Sequence, residues 1–161
     1  MSDEVDRVVD AWRGVRPDLG LDPLHIWSRL DRLSGILEGR RKLAFAGHQL
    51  ESWEFDVLAA LRRAGEPYRL SPGQLVVETH VTSGTMTNRV DRLVARGAVT
   101  RENDPSDGRA VRVRLTGDGL ALVDAAFESL LAMEEELLAK WTHGDRARLA
   151  DYLRVLLESS A

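Results

Sequence analysis

The spacing of apolar residues predicts a mostly helical chain. Apolar residues recur every three or four positions through residues 3–13, 22–46 and 52–64, the period of a helix with one buried face. Asp22 and Pro23 supply an N-cap and a proline at the first helical position. The helix over 22–46 would be about 37 Å long. A core this small cannot cover that length, so we expect its apolar side chains to pack against a partner chain.

The middle of the chain predicts two shorter helices. Ser71 and Pro72 favour the start of one, and Thr82 or Ser83 can cap another over residues 84–95. The helix over 84–95 would turn four apolar side chains inward: Met86, Val90, Leu93 and Val94. The polar side chains of this helix would then face solvent.

The period next shortens from that of a helix to that of a strand. Residues 98–102 and 111–115 predict two strands, and the turn residues of 103–108 predict a polar connection between them. Two helices complete the chain, one over 117–140 and one that opens at Asp145. Both carry more apolar surface than the central unit needs.

This order of elements predicts a mainly α fold with a small β-wing, a winged helix-turn-helix with long N- and C-terminal dimerisation helices. Residues 1–50 would hold an extra helix and the long dimerisation helix. Residues 51–116 would form the DNA-binding domain, and residues 117–161 the C-terminal dimerisation helices.

The charge distribution favours a nucleic-acid partner for the centre of the chain. The net charge is −4, but residues 82–116 hold 7 basic and 4 acidic residues, a net charge of +3. Residues 1–81 sum to −2 and residues 117–161 to −5. A basic centre attracts phosphate locally, while acidic ends weaken non-specific binding.

Composition excludes several classes of function. The chain has no cysteine, so it has no disulfide, thiolate metal site or cysteine nucleophile. It lacks a run of 18 apolar residues and a basic, then apolar, leader, so we expect a cytoplasmic protein that does not span a membrane. The four histidines have no metal-ligand spacing, and no phosphate loop, nucleophile elbow or dinucleotide turn occurs. We therefore predict no metal, no cofactor and no enzymatic activity.

The fifth predicted helix and the wing carry residues suited to duplex DNA. Small hydrogen-bonding side chains stand at the start of the helix that begins near residue 83: Ser83, Thr85, Thr87 and Asn88. Small side chains allow close approach to the major groove, and an asparagine can bond an adenine edge. The hairpin adds Arg109, Arg112 and Arg114, and a cation on a thin ribbon suits the minor groove. A protein-binding winged helix stays the alternative, and a steep salt dependence of binding would favour DNA.

Residues 51–116 resemble the MarR family of bacterial transcription regulators. The resemblance rests on the segment 83–93, on Gly97, on the wing residues 104–109 and on the closing segment 113–116. The terminal helices agree with it as well. It implies a homodimer that binds a pseudo-palindromic operator in double-stranded DNA, with repression as the family default. By position, Asp107 would brace the wing and Arg109 would enter the minor groove, while Arg89 and Arg92 join the DNA-contacting residues. Many relatives have a basic residue where this chain has Gly108, so one wing cation is missing.

A narrower resemblance is to the urate-responsive branch of that family, which has an extra N-terminal helix. The matching segments are 12–19 and 54–65. By position, this resemblance implies a ligand site made of four residues: Trp12, Asp56, Arg89 and Arg101. Two guanidinium groups can hold an organic anion through forked hydrogen bonds, and an indole offers a flat apolar face.

Simpler roles stay open for these four residues. Trp12 could instead anchor a dimer interface, and Asp56 could form a purely structural ion pair with Arg89. The effector could be urate, a tricarboxylate such as citrate or aconitate, or an aromatic acid.

Overall fold

The computed structural model describes residues 2–103 and 111–160 of the chain, with the side chain of residue 160 left out. The helices in these ranges are α1 (Glu4–Val15), α2 (Asp22–Ala46), α3 (Ser52–Arg63), α4 (Pro72–Thr79), α5 (Ser83–Ala95), α6 (Gly117–Leu137) and α7 (His143–Ser160). The strands are β1 (Arg69–Leu70), β2 (Val99–Asn103) and β3 (Val111–Leu115). The fold is thus mainly α with a small antiparallel sheet, as the sequence predicts.

The sheet has one strand more than the hairpin that the sequence predicts. In the described residues the strand order is β1-β3-β2, and β1 pairs with β3 through Arg69 opposite Arg114 and Leu70 opposite Val113. A strand of two residues is too short to show an alternating pattern, so the sequence contains no signal for it.

The boundaries of the last two helices also differ from the prediction. α6 ends at Leu137 rather than at Lys140. α7 begins at His143 rather than at Asp145, because the Thr142 hydroxyl accepts the backbone N–H of Asp145 at 3.2 Å and so caps the helix two residues earlier.

The chain divides after Leu43 into two compact units. In the first unit, Arg29 of α2 donates to the carboxylates of Asp3 and Asp6 at 2.7–3.0 Å, and Arg32 reaches Glu4 at 3.3 Å. Asp3 is also the N-cap of α1. These bonds fasten the start of α1 to α2. No described helix has the length and apolar character needed to cross a membrane.

The core of the second unit lies between α3, α4, α5, α6 and the sheet. Phe45 and Phe55 stack with ring centres 4.4 Å apart. The core also holds Leu58, Leu61, Leu75, Met86, Val90, Leu93, Val99, Val113, Val123 and Ala126. Val94 is 39% exposed, so its predicted inward position is wrong; the buried face of α5 runs through the other three predicted residues. This core holds α4 and α5 in a fixed relation to the sheet.

The junction between the sheet and α6 depends on Thr116 and Gly119. The Thr116 hydroxyl accepts the Gly119 N–H at 2.9 Å, which caps α6, and lies 2.7 Å from the Gly97 carbonyl oxygen. A Cβ atom on Gly119 would overlap the carbonyl of Ala98. Only glycine therefore lets the first turn of α6 lie this close to the start of β2.

Candidate nucleic-acid interface

α4 and α5 form a helix-turn-helix whose helix ends are set by three capping residues. Ser71 accepts the N–H of Gln74 at 3.1 Å and so caps α4, which ends at His80 in the left-handed conformation. Thr82 then accepts the N–H of Thr85 at 3.3 Å and caps α5. Leu75 and Met86 are fully buried on the facing sides of the two helices. The local sequence thus fixes the angle at which α5 is presented.

The first half of α5 presents its polar side chains to solvent, as predicted. The side chains of Ser83, Thr85, Thr87 and Asn88 are all exposed. The Thr87 hydroxyl donates to the Ser83 carbonyl at 3.1 Å, and the Thr85 hydroxyl lies 2.9 Å from that of Thr82. These local bonds give the two threonines defined rotamers at the outer edge of the helix.

Two arginines of α5 pack on one tryptophan of α3. The guanidinium of Arg92 lies 4.7 Å from the ring centre of Trp53, and that of Arg89 lies 5.4 Å from it, both within cation–π range. Arg92 also donates to a Glu51 carboxylate oxygen at 2.7 Å, and the Trp53 indole N–H donates to the other at 2.7 Å. An open groove runs beside these side chains, past Thr85 and Asn88.

Glu51 is held in its charged form by this cluster. The hydrogen bond from Trp53, followed by that from Arg92, lowers the pKa of the Glu51 carboxyl group. Glu51 therefore stays ionised at neutral pH. Its carboxylate therefore competes with a phosphate group for Arg92.

Sequence reasoning missed Trp53 and Glu51. Glu51 directly precedes α3 and Trp53 lies in its first turn, some 40 residues before Arg92, so no local spacing links them to α5. The sequence contained one usable signal, a large aromatic residue in the first turn of a helix. Only the packing of α3 on α5 shows what it contacts.

The wing arginines have different surroundings. Arg112 donates to the Gln74 side chain of α4 at 3.1 Å, and Arg114 reaches Glu102 at 3.4 Å across the sheet. The predicted wing residues Asp107 and Arg109, together with Gly108, lie outside the described residues. Arg112 therefore links the wing to the helix-turn-helix.

The four predicted ligand-site residues are distributed over both compact units. Trp12 belongs to the first unit and is 49% exposed on α1, so its indole lies at the surface of that helix. In the second unit Arg89 packs on Trp53, and Arg101 forms an ion pair with Asp91 at 2.6 Å. Asp56 is half-buried on α3, one turn after Trp53.

A helix-turn-helix with an outward polar edge, followed by a β-wing, is the architecture of winged-helix DNA-binding proteins. Comparison with known proteins specifies the class. The sequence profile of the MarR family matches residues 48–110. The HTH-type transcriptional regulator PecS of Dickeya dadantii is 34% identical over 146 residues, which cover 91% of this chain and 88% of PecS. The chain belongs to the MarR family and is a DNA-binding transcription regulator.

Solved structures agree with this assignment. Wild-type MarR of E. coli in its apo form superposes with a TM-score of 0.69 at 25% identity, over 82% of this chain and 96% of that one. Bordetella bronchiseptica BpsR, whose DNA binding is regulated by 6-hydroxynicotinic acid, superposes with a TM-score of 0.68 at 26% identity, over 81% of this chain and 91% of BpsR.

Proposed function

We propose that this chain acts as a homodimeric repressor that binds a pseudo-palindromic operator and is released by a small organic anion. The observation that carries the DNA-binding part is the exposed polar edge of α5 beside Arg89 and Arg92. In this proposal Ser83, Thr85, Thr87 and Asn88 read base edges in the major groove. Arg89, Arg92 and Arg112 contact phosphates, and Arg109, braced by Asp107, enters the minor groove.

The apolar surface of the terminal helices supports the homodimer. Large apolar side chains that are more than half exposed occur on α2, at Ile26, Trp27, Leu33, Ile36 and Leu43, and on α7, at Tyr152, Val155 and Leu157. Such surface is costly in water and is typical of an interface. A symmetric dimer would present two copies of α5 to successive major grooves, about 34–36 Å apart.

The proposed effector is an organic anion held by Trp12, Arg89 and Arg101. The fourth residue of the predicted site, Asp56, would be repelled by the bound anion, and this repulsion would help to move the recognition helix α5. BpsR, which responds to an aromatic acid, supports this chemistry; urate and tricarboxylates such as citrate or aconitate are the other candidates. To bind the anion, Arg101 would exchange the Asp91 carboxylate for a carboxylate of the ligand. Because Arg89 belongs to both proposed sites, a bound anion would draw it away from DNA. Only a difference in affinity between the DNA-binding state and the released state can produce this response, and a coupling of about 1–3 kcal/mol is typical.

A fluorescence anisotropy titration tests the proposal. The probe is a labelled duplex that the protein itself selects from a randomised library, with a shuffled duplex as reference. We expect preference for the selected duplex and its release by at least one of urate, citrate, trans-aconitate or 6-hydroxynicotinate. Trp12→Ala should abolish release while it leaves DNA affinity intact, because Trp12 is not among the proposed DNA contacts. A chain that enriches no duplex would contradict the operator, and a Trp12→Ala variant with a normal response would contradict the ligand site.

A further inference from the structure

A carboxylate is buried at the base of α3. Among the described residues, Glu54 is the one charged residue that is buried, with 5% of its surface exposed. Its Oε2 atom accepts the backbone N–H of Glu51 at 2.9 Å. A carboxylate in such a place is tolerated only when a cation and hydrogen bonds compensate for its lost hydration.

The compensating cation is Arg96, the residue that follows α5. Its Nη1 atom lies 3.2 and 3.3 Å from the two carboxylate oxygens of Glu54 and donates to the Gln49 carbonyl at 2.7 Å. Its Nη2 atom donates to the His48 carbonyl at 3.2 Å. One guanidinium group thus joins the end of α5 to α3 and to the loop between α2 and α3. The planar fork of arginine suits three acceptors at once, which a lysine ammonium does not match.

The same loop is held from its other side. The His48 ring Nε2 lies 2.8 Å from the Ser129 hydroxyl of α6. Leu50, at the end of the loop, and Phe45, just before it, are both in the core. The loop is therefore a fixed support, and Arg96 ties the last turn of α5 to it.

We propose that Arg96 is a positioning residue for DNA recognition, which it serves by fixing the tilt of α5. This inference rests on the proposed function. α5 has 13 residues and a length of about 20 Å. A tilt of about 5° at its fixed end would move its DNA-facing end by about 2 Å, more than a preorganised binding site tolerates. Arg96 therefore controls DNA affinity without contacting DNA.

The test separates positioning from simple stability. Arg96→Met alone would leave Glu54 buried without its cation and could unfold the chain. The double variant Arg96→Met/Glu54→Gln removes both charges and keeps an oxygen that can accept the Glu51 N–H. We expect the double variant to fold as a dimer and to bind the duplex selected by the wild type at least tenfold more weakly.

Two controls distinguish weaker binding caused by a tilted α5 from weaker binding caused by a lost phosphate contact. The dependence of log affinity on log salt should keep the wild-type slope in the double variant, because every residue that faces phosphate is still present. Arg92→Ala, by contrast, should reduce the slope by about 0.9 for each phosphate that the arginine neutralises. Arg96→Lys, which can still pair with Glu54 but not span both carbonyls, should recover the affinity only in part.

Hydrogen exchange of the DNA-free protein provides a second readout. We expect faster exchange in the double variant at residues 48–55 and 92–98, and unchanged exchange in α7. A folded double variant with wild-type affinity and wild-type exchange would overturn the positioning role alone, as would a reduced salt slope, which would make Arg96 a DNA contact. A wild-type protein that enriches no duplex would instead defeat the proposed function, and the role of Arg96 in DNA recognition with it.

Discussion

Among the described glycines, Gly119 is the one at which an added side chain would find least room. Its missing side chain lets α6 approach the carbonyl of Ala98, a backbone atom that cannot move aside like a flexible side chain. We predict that Gly119→Ala lowers the free energy of unfolding by about 1–3 kcal/mol, the usual cost of overpacking. Urea unfolding followed by circular dichroism measures it.

The matched control is Gly117→Ala in the same turn, where a Cβ atom meets nothing within 4 Å. Alanine there should be neutral or slightly stabilising, since it reduces the freedom of the unfolded chain. Equal effects of the two substitutions would contradict the close contact.

Glu51 is the residue whose charge opposes the proposed DNA contact. Its carboxylate holds Arg92 at 2.7 Å and would repel a nearby phosphate. Glu51→Gln keeps an acceptor for Trp53 and removes the charge. We predict tighter DNA binding, by about fivefold per protomer at low salt, since two charges about 4 Å apart in water interact by about 1 kcal/mol.

The gain should shrink as salt is added, because exposed charges are screened. Glu66→Gln, at an exposed position between α3 and β1, removes the same charge outside the proposed DNA contacts and outside the terminal helices, and it serves as the control. Anisotropy titrations at several salt concentrations measure both variants. A gain that does not depend on salt would show that the charge of Glu51 is not its cause.

At the scale of elements, α1 is fastened to α2 by exposed ion pairs. The hydrogen bonds from Arg29 lower the pKa of Asp3, and the hydrogen bond from Arg32 lowers the pKa of Glu4. The pKa of Asp6 is lowered first by the backbone N–H of Asp3 and then by Arg29. A carboxyl group whose pKa is lower in the folded state stabilises that state above its unfolded pKa of about 4. That stabilisation disappears as pH falls through the lowered values.

We therefore predict that α1 is ordered at neutral pH and loosens from α2 below about pH 4. Hydrogen exchange of residues 4–15, corrected for the intrinsic effect of pH, measures the change. In Arg29→Met the exchange should already be fast at neutral pH. Protection of α1 that stays constant as pH is lowered would contradict this role of the carboxylates.

Some helix boundaries follow from the sequence. α5 begins directly after its Thr82 cap and α2 ends at Ala46 as predicted, but α2 already includes Asp22, which the sequence analysis takes as its N-cap. β1 was missed because its only cause is pairing with β3, a contact between residues distant in the chain.

The residues of the candidate site also differ in how far the sequence predicts them. Exposure of Thr85 and Asn88 follows from helical periodicity, and Glu54 could have been noticed because it falls on the same face as Val57, Leu58 and Leu61. The partners of Glu54 and Trp53 depend on how α3 packs against α5, which periodicity does not encode.

At the scale of the whole molecule, the exposed apolar faces of α2 and α7 require an explanation. Ile26 and Leu33 of α2 are both more than half exposed. If they lie in a dimer interface, Ile26→Glu/Leu33→Glu should give a monomer, because two carboxylates would lose their hydration on association. Analytical ultracentrifugation measures the mass, and we expect operator affinity to fall at the same time.

Lys42→Gln, at an exposed polar position of the same helix, is the control and should leave the mass unchanged. A wild-type chain that sediments at 17.9 kDa would contradict the dimer outright. A double variant that remains dimeric would show that the dimer interface does not lie on this face of α2.

Thr116 has a further consequence for how a signal could travel. Because Thr116 bonds both to the first turn of α6 and to the backbone that leads into β2, a shift of one without the other would break hydrogen bonds. A displacement of α6 would therefore be transmitted to the hairpin of β2 and β3. A few glycines inserted between residues 116 and 117 would uncouple α6 from this hairpin, and the hairpin would then lose any response that reaches it along α6.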